Sequence, residues 1–198
     1  MKKTSFLIFA SLLSGCAFLG QQEPLPLYTL KSGTFEPQGK LPASLAIDIP
    51  LSEASLNTSR IAVTPSPFQR NYLADGEWPD RLPKILQEVL IESLGQRWGE
   101  VRVNRMAAGL ETKYLLQPEI KDFSVYHLEE GAPEVHLKVT FKLINLRNRQ
   151  AIAAHTFTEI IPSSSPTMNE IVESFNKGLY CMIEKTIPWI EEVLRTEK

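Results

Sequence analysis

VHLKVTFKL, residues 135–143, is the stretch that decides the fold, because its side chains alternate strictly between apolar and polar. A period of two is typical of a β-strand that buries one face, so Val135 and Leu137 would face a core while His136 and Lys138 face the other side. The polar segment NLRNRQ follows at 145–150, and residues 151–161 then return as a partner strand. This pattern predicts an antiparallel hairpin.

One amphipathic helix is predicted before this hairpin in the sequence and another after it. Residues 82–94 repeat Leu, Ile and Val at helical spacing, behind Asp80, which can cap a helix, and with Pro83, which a first turn tolerates. A second apolar stripe runs from residue 168 to 194. Each stripe indicates a helix with one side on a core, and Pro188 should kink or divide the second helix.

Further strands, four short and one long, complete the predicted fold. Apolar or alternating runs indicate strands at residues 44–49, 56–63, 68–73, 101–103 and 114–125. In the last of these runs the apolar positions switch parity, which predicts a β-bulge near Pro118 or Asp122. The order of elements predicts an α/β fold of the α+β type, in which two amphipathic helices pack on one face of a mostly antiparallel sheet.

The first seventeen residues predict where the protein works. Lys2 and Lys3 precede an eight-residue apolar run, which is far shorter than the ~20 residues of a membrane-spanning helix and fits an export signal. Leu13-Ser14-Gly15-Cys16 resembles the bacterial lipobox, whose cysteine receives a diacylglycerol and becomes the new N-terminus after cleavage. The alternative is an ordinary secretory signal that is cleaved after Ala17.

The lipobox sets the predicted domain boundaries. We expect a lipoprotein signal peptide at 1–15, a lipidated N-terminus and flexible tether at 16–42, and a single periplasmic α/β domain at 43–198. The tether is rich in Gly, Pro, Gln and Ser, and its one apolar cluster, residues 27–30, is interpreted as a contact that pins the tether to the domain.

Charge and cysteine content exclude several classes of protein. Cleavage would leave 19 of the 21 Lys and Arg residues against 23 Asp and Glu residues, a formal charge of −4, so no basic field for nucleic acid is present. If Cys16 carries lipid, Cys181 is the one cysteine that remains and no intrachain disulfide can form. Cys181 lies in an apolar helical pattern, which predicts a small buried side chain.

The sequence contains no motif of an enzyme, a metal site or a nucleotide site. G-x-S-x-G, H-E-x-x-H, C-x-x-C and G-x-G-x-x-G motifs are missing, so we expect no catalytic residue and no cofactor. His127, His136 and His155 fit no standard zinc spacing, so we also expect no metal. The notable side chains are the aromatic residues and proline around the first hairpin: Phe68, Tyr72, Trp78 and Pro79. Tyr and Trp often anchor protein contacts, but they could equally plug the end of the core.

Several of these segments, in this order and spacing, resemble the ABC-type transport auxiliary lipoproteins, a family that includes PqiC-like intermembrane transport lipoproteins. The resemblance covers nearly the whole mature chain. It is carried by the lipobox at Cys16, by Tyr28-Thr29-Leu30, by residues 56–61, by residues 72–94 and by the final helix.

The resemblance implies an outer-membrane lipoprotein that is not itself an enzyme. Its partners would be a periplasmic MCE-domain protein, an ABC permease and an ATPase, which move phospholipid or another hydrophobic molecule. The lipid on Cys16 would anchor it to the membrane, and Tyr72 and Trp78 would form the partner surface or its support. Ala17, rather than the Asp that retains many lipoproteins at the inner membrane, favours the outer membrane.

Other functions stay open at this stage. An envelope scaffold or assembly lipoprotein, such as a cell-wall synthase activator or an outer-membrane assembly factor, would share the anchor and the domain. A lipid hydrolase would need turnover by the purified domain, which we do not expect. A homo-oligomer is also compatible with the sequence, although no heptad repeat announces one.

Cys16→Ser should block lipidation and leave the precursor uncleaved, because the thiol is the acyl acceptor. Metabolic labelling with a fatty acid and the apparent mass of the protein measure both effects. Maturation of the variant to the wild-type size would show that Cys16 does not define the cleavage site.

Overall fold

The computed structural model describes residues 24–38, 41–106, 111–126 and 133–197, which form eight strands and two helices. The predicted signal peptide and Cys16 lie outside the described residues, so the boundary at residue 15 stays a prediction. The elements in chain order are β1 Leu45–Ile47, β2 Leu51–Ser52, β3 Arg60–Ser66, β4 Gln69–Glu77, α1 Leu82–Trp98, β5 Val103–Arg105, β6 Tyr114–Tyr126, β7 Glu134–Asn145, β8 Gln150–Pro162 and α2 Met168–Thr196.

Strand β6 lies at the centre of the sheet. One of its edges pairs antiparallel with β7, and β7 pairs antiparallel with β8. Its other edge takes β1, β2 and β3 in succession, all parallel, while β5 lies beyond β1 and β4 lies beyond β3. The predicted α+β fold with two helices is confirmed, and the sheet is mixed: its long strands pair antiparallel and its short strands join β6 in parallel.

The hairpin predicted from residues 135–161 is the β7–β8 pair. The apolar positions of β7 from Val135 to Leu143 lie in the core, and Val139 pairs with buried Phe157 of β8. In the tight turn, Arg149 adopts a left-handed backbone conformation with φ of 57°. Alternation of side chains therefore predicts both the strands and the buried face of this hairpin correctly.

The predicted bulge lies next to Asp122. Ile120 pairs with Val139 and Asp122 pairs with Lys138, so Lys121 is an extra residue in β6. The shift lets Ile120 and Phe123 both face the core, although they are three residues apart.

Aromatic stacking joins α2 to the sheet. Phe175 of α2 stacks on Phe123 with ring centroids 4.9 Å apart, and Trp78 meets the edge of Phe175 at 5.5 Å. Gly178 allows the close approach, because a Cβ at this position would lie 2.8 Å from Cδ1 of Leu137. Burial of these rings supplies a large apolar area at the centre of the domain.

The helix predictions at Pro188 and Asp80 can be compared with the structure. Helix α2 is continuous from Met168 to Thr196, so Pro188 does not divide it, while a kink at this residue stays a prediction. Asp80 does not cap α1, because Arg81 occupies the N-cap position. The Asp80 carboxylate instead accepts a hydrogen bond from the backbone N–H of Arg81 and forms an ion pair with Lys84.

Residues 24–38, here called the N-terminal strap, fall in the range predicted as a flexible tether, yet they pack on the domain. Leu30 and Phe35 are buried, and Phe35 stacks on Tyr180 of α2 at 5.1 Å. The backbone N–H of Tyr28 donates to the Glu77 carbonyl at 2.8 Å, so the strap runs parallel to the end of β4. The contact expected from residues 27–30 is present, although Leu27 itself is exposed.

Replacing Phe175 with Ala should lower the free energy of unfolding by about 3–5 kcal/mol, because the substitution leaves a cavity beneath Trp78 and Phe123. Urea denaturation of the purified protein measures the change. Phe68→Ala is the matched control, since Phe68 is 99% exposed and its loss should change stability by less than about 0.5 kcal/mol. Equal losses in the two variants would contradict the described core.

Candidate functional site

The face of the sheet opposite α1 and α2, here called the open face, carries the polar half of each strand's alternation. Helix α2 lies against β7 and β8, and α1 lies against β5 and β1, all on the other face. On the open face, β3 contributes Thr64, β6 contributes Asp122, Ser124 and Tyr126, and β7 contributes His136. These residues meet near the end of the sheet where β6 finishes.

A hydrogen-bonded network on this face is centred on Asp122. Its carboxylate accepts hydrogen bonds from the hydroxyl groups of Ser124 at 2.5 Å and Tyr126 at 2.8 Å. Ser124 Oγ also lies 3.2 Å from Thr64 Oγ1, and both side chains are buried. Arg70 Nη2 of β4 lies 3.6 Å from Asp122 Oδ1 and supplies the opposite charge. The network therefore links β4, β3 and β6.

The electrostatics favour a protonated tyrosine. Burial raises the pKa of Tyr126, and the hydrogen bond to Asp122 and the charge of that carboxylate raise it further. The phenol thus stays a hydrogen-bond donor at neutral pH and is a poor nucleophile or base. This arrangement can hold side chains in place and bind a partner, but it does not activate the Tyr126 hydroxyl as a nucleophile.

An aromatic platform adjoins the network. The ring of His136 stacks on Tyr126 with centroids 3.9 Å apart, and His136 Nε2 lies 3.2 Å from a carboxylate oxygen of Glu134. Across the strand pair, His136 is opposite Ile160, whose side chain is 52% exposed. Exposed apolar area beside hydrogen-bonding groups is the composition of a protein contact surface.

Tyr72 and Trp78, the two residues predicted to bind a partner or support its surface, lie in different places. Tyr72 is half-buried on the open face, where the guanidinium of Arg60 lies 3.8 Å from its ring centroid and its hydroxyl donates to the Ser55 carbonyl. Trp78 is 2% exposed and belongs to the core. Trp78 thus has no surface for a partner and supports the sheet from beneath, because its neighbours are Phe123 and Phe175.

The described histidines do not form a metal site. His136 lies on the open face, whereas His155 contacts Phe157 and Trp189 on the helix side of the sheet. His127 lies outside the described residues. Within the described ranges, no group of three His, Cys, Asp or Glu side chains is arranged to hold a metal ion. Cys181 is a free thiol and only partly buried, so it is more exposed than its sequence pattern predicted.

A groove at the ends of the two helices is one of several concave sites on the described part of the chain. Its volume of about 580 Å³ is in the range of small-molecule sites, but the Arg97–Glu191 ion pair forms part of its lining. A charged wall is unfavourable for an acyl chain. The lining residues are Gln38, Leu41, Pro42, Arg97, Trp98, Glu191, Leu194, Arg195 and Glu197.

A family model described as the ABC-type transport auxiliary lipoprotein component matches residues 28–184, which include every strand and most of α2. The chain belongs to this family. The family that the sequence resembled, through the lipobox, Tyr28-Thr29-Leu30, residues 56–61, residues 72–94 and the final helix, is therefore confirmed. A lipoprotein family indicates a membrane-anchored envelope protein.

Two solved structures share this fold. Protein XCC0632 from Xanthomonas campestris is 17% identical, with a TM-score of 0.71 over 87% of this chain and 96% of that chain. An uncharacterized protein is 15% identical, with a TM-score of 0.63 over 78% of this chain and 98% of that chain. At these identities the likeness shows the fold alone. Among curated proteins, none matches the sequence.

No described helix of this family member combines the length and apolar character that spanning a bilayer requires.

Sequence reasoning missed the network around Asp122, although the signal was present. Asp122, Ser124 and Tyr126 alternate directly after the parity switch, which places all three on one face once the bulge is accepted. Their approach to Thr64 and Arg70 depends on which strands lie beside β6, and no local pattern contains that information.

Asp122→Asn should lower the pKa of Tyr126 relative to the wild type. The substitution removes the carboxylate charge that disfavours the phenolate, while burial continues to raise the pKa. Phenolate absorbance during a pH titration measures the shift, and the signal of Tyr126 is identified by subtraction of a Tyr126→Phe titration. Asp75→Asn, an exposed change on β4, is the control and should leave Tyr126 unchanged. An unshifted Tyr126 in the Asp122 variant would contradict the described hydrogen bond.

Proposed function

We propose that the protein is an outer-membrane-anchored auxiliary lipoprotein of an MCE- and ABC-type envelope transport system for phospholipid or another hydrophobic substrate. It acts as a docking or adaptor component and carries out no catalysis itself. The observation that carries this proposal is the family match over residues 28–184. The predicted acylation of Cys16 supports the anchor, and Ala17 at the second mature position supports the outer membrane.

The open face is the surface that we assign to the transport partners. The opposite face is occupied by α1 and α2, and α2 is itself crossed by the N-terminal strap. On the open face, Tyr72, the stacked Tyr126–His136 pair and Ile160 combine aromatic and apolar area with ordered polar groups. Such a surface binds without a large ordering cost, because its side chains already hold each other in place.

Purification of the full-length lipoprotein from detergent-solubilised membranes tests the function directly. Recovery of an MCE-domain protein with its permease and ATPase supports the proposal. Recovery of a cell-wall synthase or an outer-membrane barrel protein in their place would establish the scaffold or assembly alternative. Turnover of a phospholipid by the purified protein would overturn the non-enzymatic assignment.

Lys138→Glu should weaken recovery of the transport components by roughly tenfold, which corresponds to about 1.4 kcal/mol of binding free energy. Lys138 is exposed on the open face opposite Asp122, so the substitution places a negative charge beside an existing one. Lys177→Glu, the same change at an exposed position of α2, is the matched control and should recover the wild-type amount. Equal recovery by the two variants would exclude this part of the open face as the docking surface.

A further inference from the structure

The tip of the β3–β4 hairpin presents one aromatic side chain to solvent without any cover. Phe68 is 99% exposed and joins β3, which ends at Ser66, to β4, which begins at Gln69. Pro65 and Pro67 precede Phe68 in the turn, and each restricts its own φ angle. Because the Phe68 side chain is almost fully exposed, its removal costs the domain little packing.

The tip is free of charge over a long stretch. Residues 61–69 contain no Asp, Glu, Lys or Arg. Arg60 and Arg70 bound this stretch, and Arg70, which is the nearer to the tip, forms ion pairs with Glu53 and Asp122. An uncharged loop with a protruding aromatic ring fits the interface of a bilayer, where charged groups resist burial and aromatic rings are favoured.

The N-terminal strap leads back toward this tip. Leu27 pairs in parallel with Glu77, so the chain before Leu27 runs beside β4 in the direction of Gln69. Pro24 and Leu25 accordingly lie beside Leu73 and Ala74, around a shallow surface depression. From Ala74 to Phe68 the strand covers six residues, or roughly 20 Å.

The length of chain before the strap is sufficient to reach the plane of the tip. Eight residue steps separate Cys16 from Pro24 in the sequence. A fully extended chain spans at most about 3.6 Å per residue, so the reach from Pro24 is up to roughly 29 Å. This exceeds the distance along β4 to Phe68. The direction of the strap and the length of chain before it thus allow the predicted anchor to lie at the same end of the domain as the hairpin tip.

We propose that the β3–β4 hairpin tip is a second membrane contact, in which Phe68 inserts into the interface of the bilayer that holds the acyl chains of Cys16. The inference rests on the lipid anchor of the proposed function. Two contacts fix the orientation of the domain, whereas one lipidated residue leaves it free to rotate. Val101, which is 89% exposed near the start of β5, then points away from the membrane, because β5 and β1 lie beside the opposite end of β6.

Spin-label accessibility in vesicles tests the proposed orientation. The full-length lipoprotein carrying Cys181→Ser is reconstituted into phospholipid vesicles, with one label at Gln69→Cys or at Val101→Cys. We expect the label at residue 69 to be several-fold less accessible to an aqueous nickel chelate than the label at residue 101. Adding Phe68→Asp should abolish that difference, since a charged side chain resists insertion. Phe68→Asp should also leave the unfolding midpoint unchanged, which excludes a folding defect.

Three results would overturn the inference. These are equal aqueous accessibility at residues 69 and 101, shielding at residue 69 that persists in the Phe68→Asp variant, and shielding that arises only after transport proteins are added. Flotation of each variant with the vesicles measures the anchor separately. A protein that floats but leaves residue 69 accessible loses the tip contact alone, whereas a protein that fails to float loses the anchor and the tip contact together.

Discussion

Between Ile120 and Asp122, strand β6 contains one residue more than the strand it pairs with, and both faces of the sheet depend on that extra residue. On the helix side, the shift turns Phe123 into the core, where it stacks on Phe175 and meets Trp78. On the open face, it aligns the carboxylate of Asp122 with the hydroxyl groups of Ser124 and Tyr126. A single backbone irregularity thus creates the aromatic core and the polar network together.

The two faces of the sheet have different tasks in the proposed adaptor. The helix side supplies stability, because α2 buries most of its apolar stripe there and the N-terminal strap covers part of the outer surface of α2. The open face keeps Tyr72, His136 and Ile160 accessible beside an ordered hydrogen-bond network. If the hairpin tip contacts the membrane, the open face extends away from the bilayer surface, where envelope transport proteins can reach it.

The strap changes how far the domain can move from its anchor. A flexible tether ending at residue 42 would give the domain a long reach, whereas the docked strap brings the first described contacts to within about ten residues of Cys16 in the sequence. The strap has three prolines among its fifteen residues, a composition that is common in linkers. Its attachment depends on Leu30, Phe35 and Tyr28, each of which fits a site made by distant residues, such as Tyr180 for Phe35 and Gly76 for Tyr28.

The sequence by itself determined the β7–β8 hairpin, the two helices, the bulge near Asp122 and the family. The first three have local sequence patterns, and the family is indicated by the order and spacing of several segments. Alternation fixes which side of Val135–Leu143 is buried, and a parity switch requires an extra residue. Tertiary structure alone decided that β1, β2 and β3 join β6 in parallel, that Trp78 is core while Tyr72 is on a surface, and that Phe68 is fully exposed. These outcomes depend on contacts between residues that are far apart in the chain. The burial of such a side chain is set by its neighbours in space, and the hydrophobicity and spacing of residues along the sequence do not specify those neighbours.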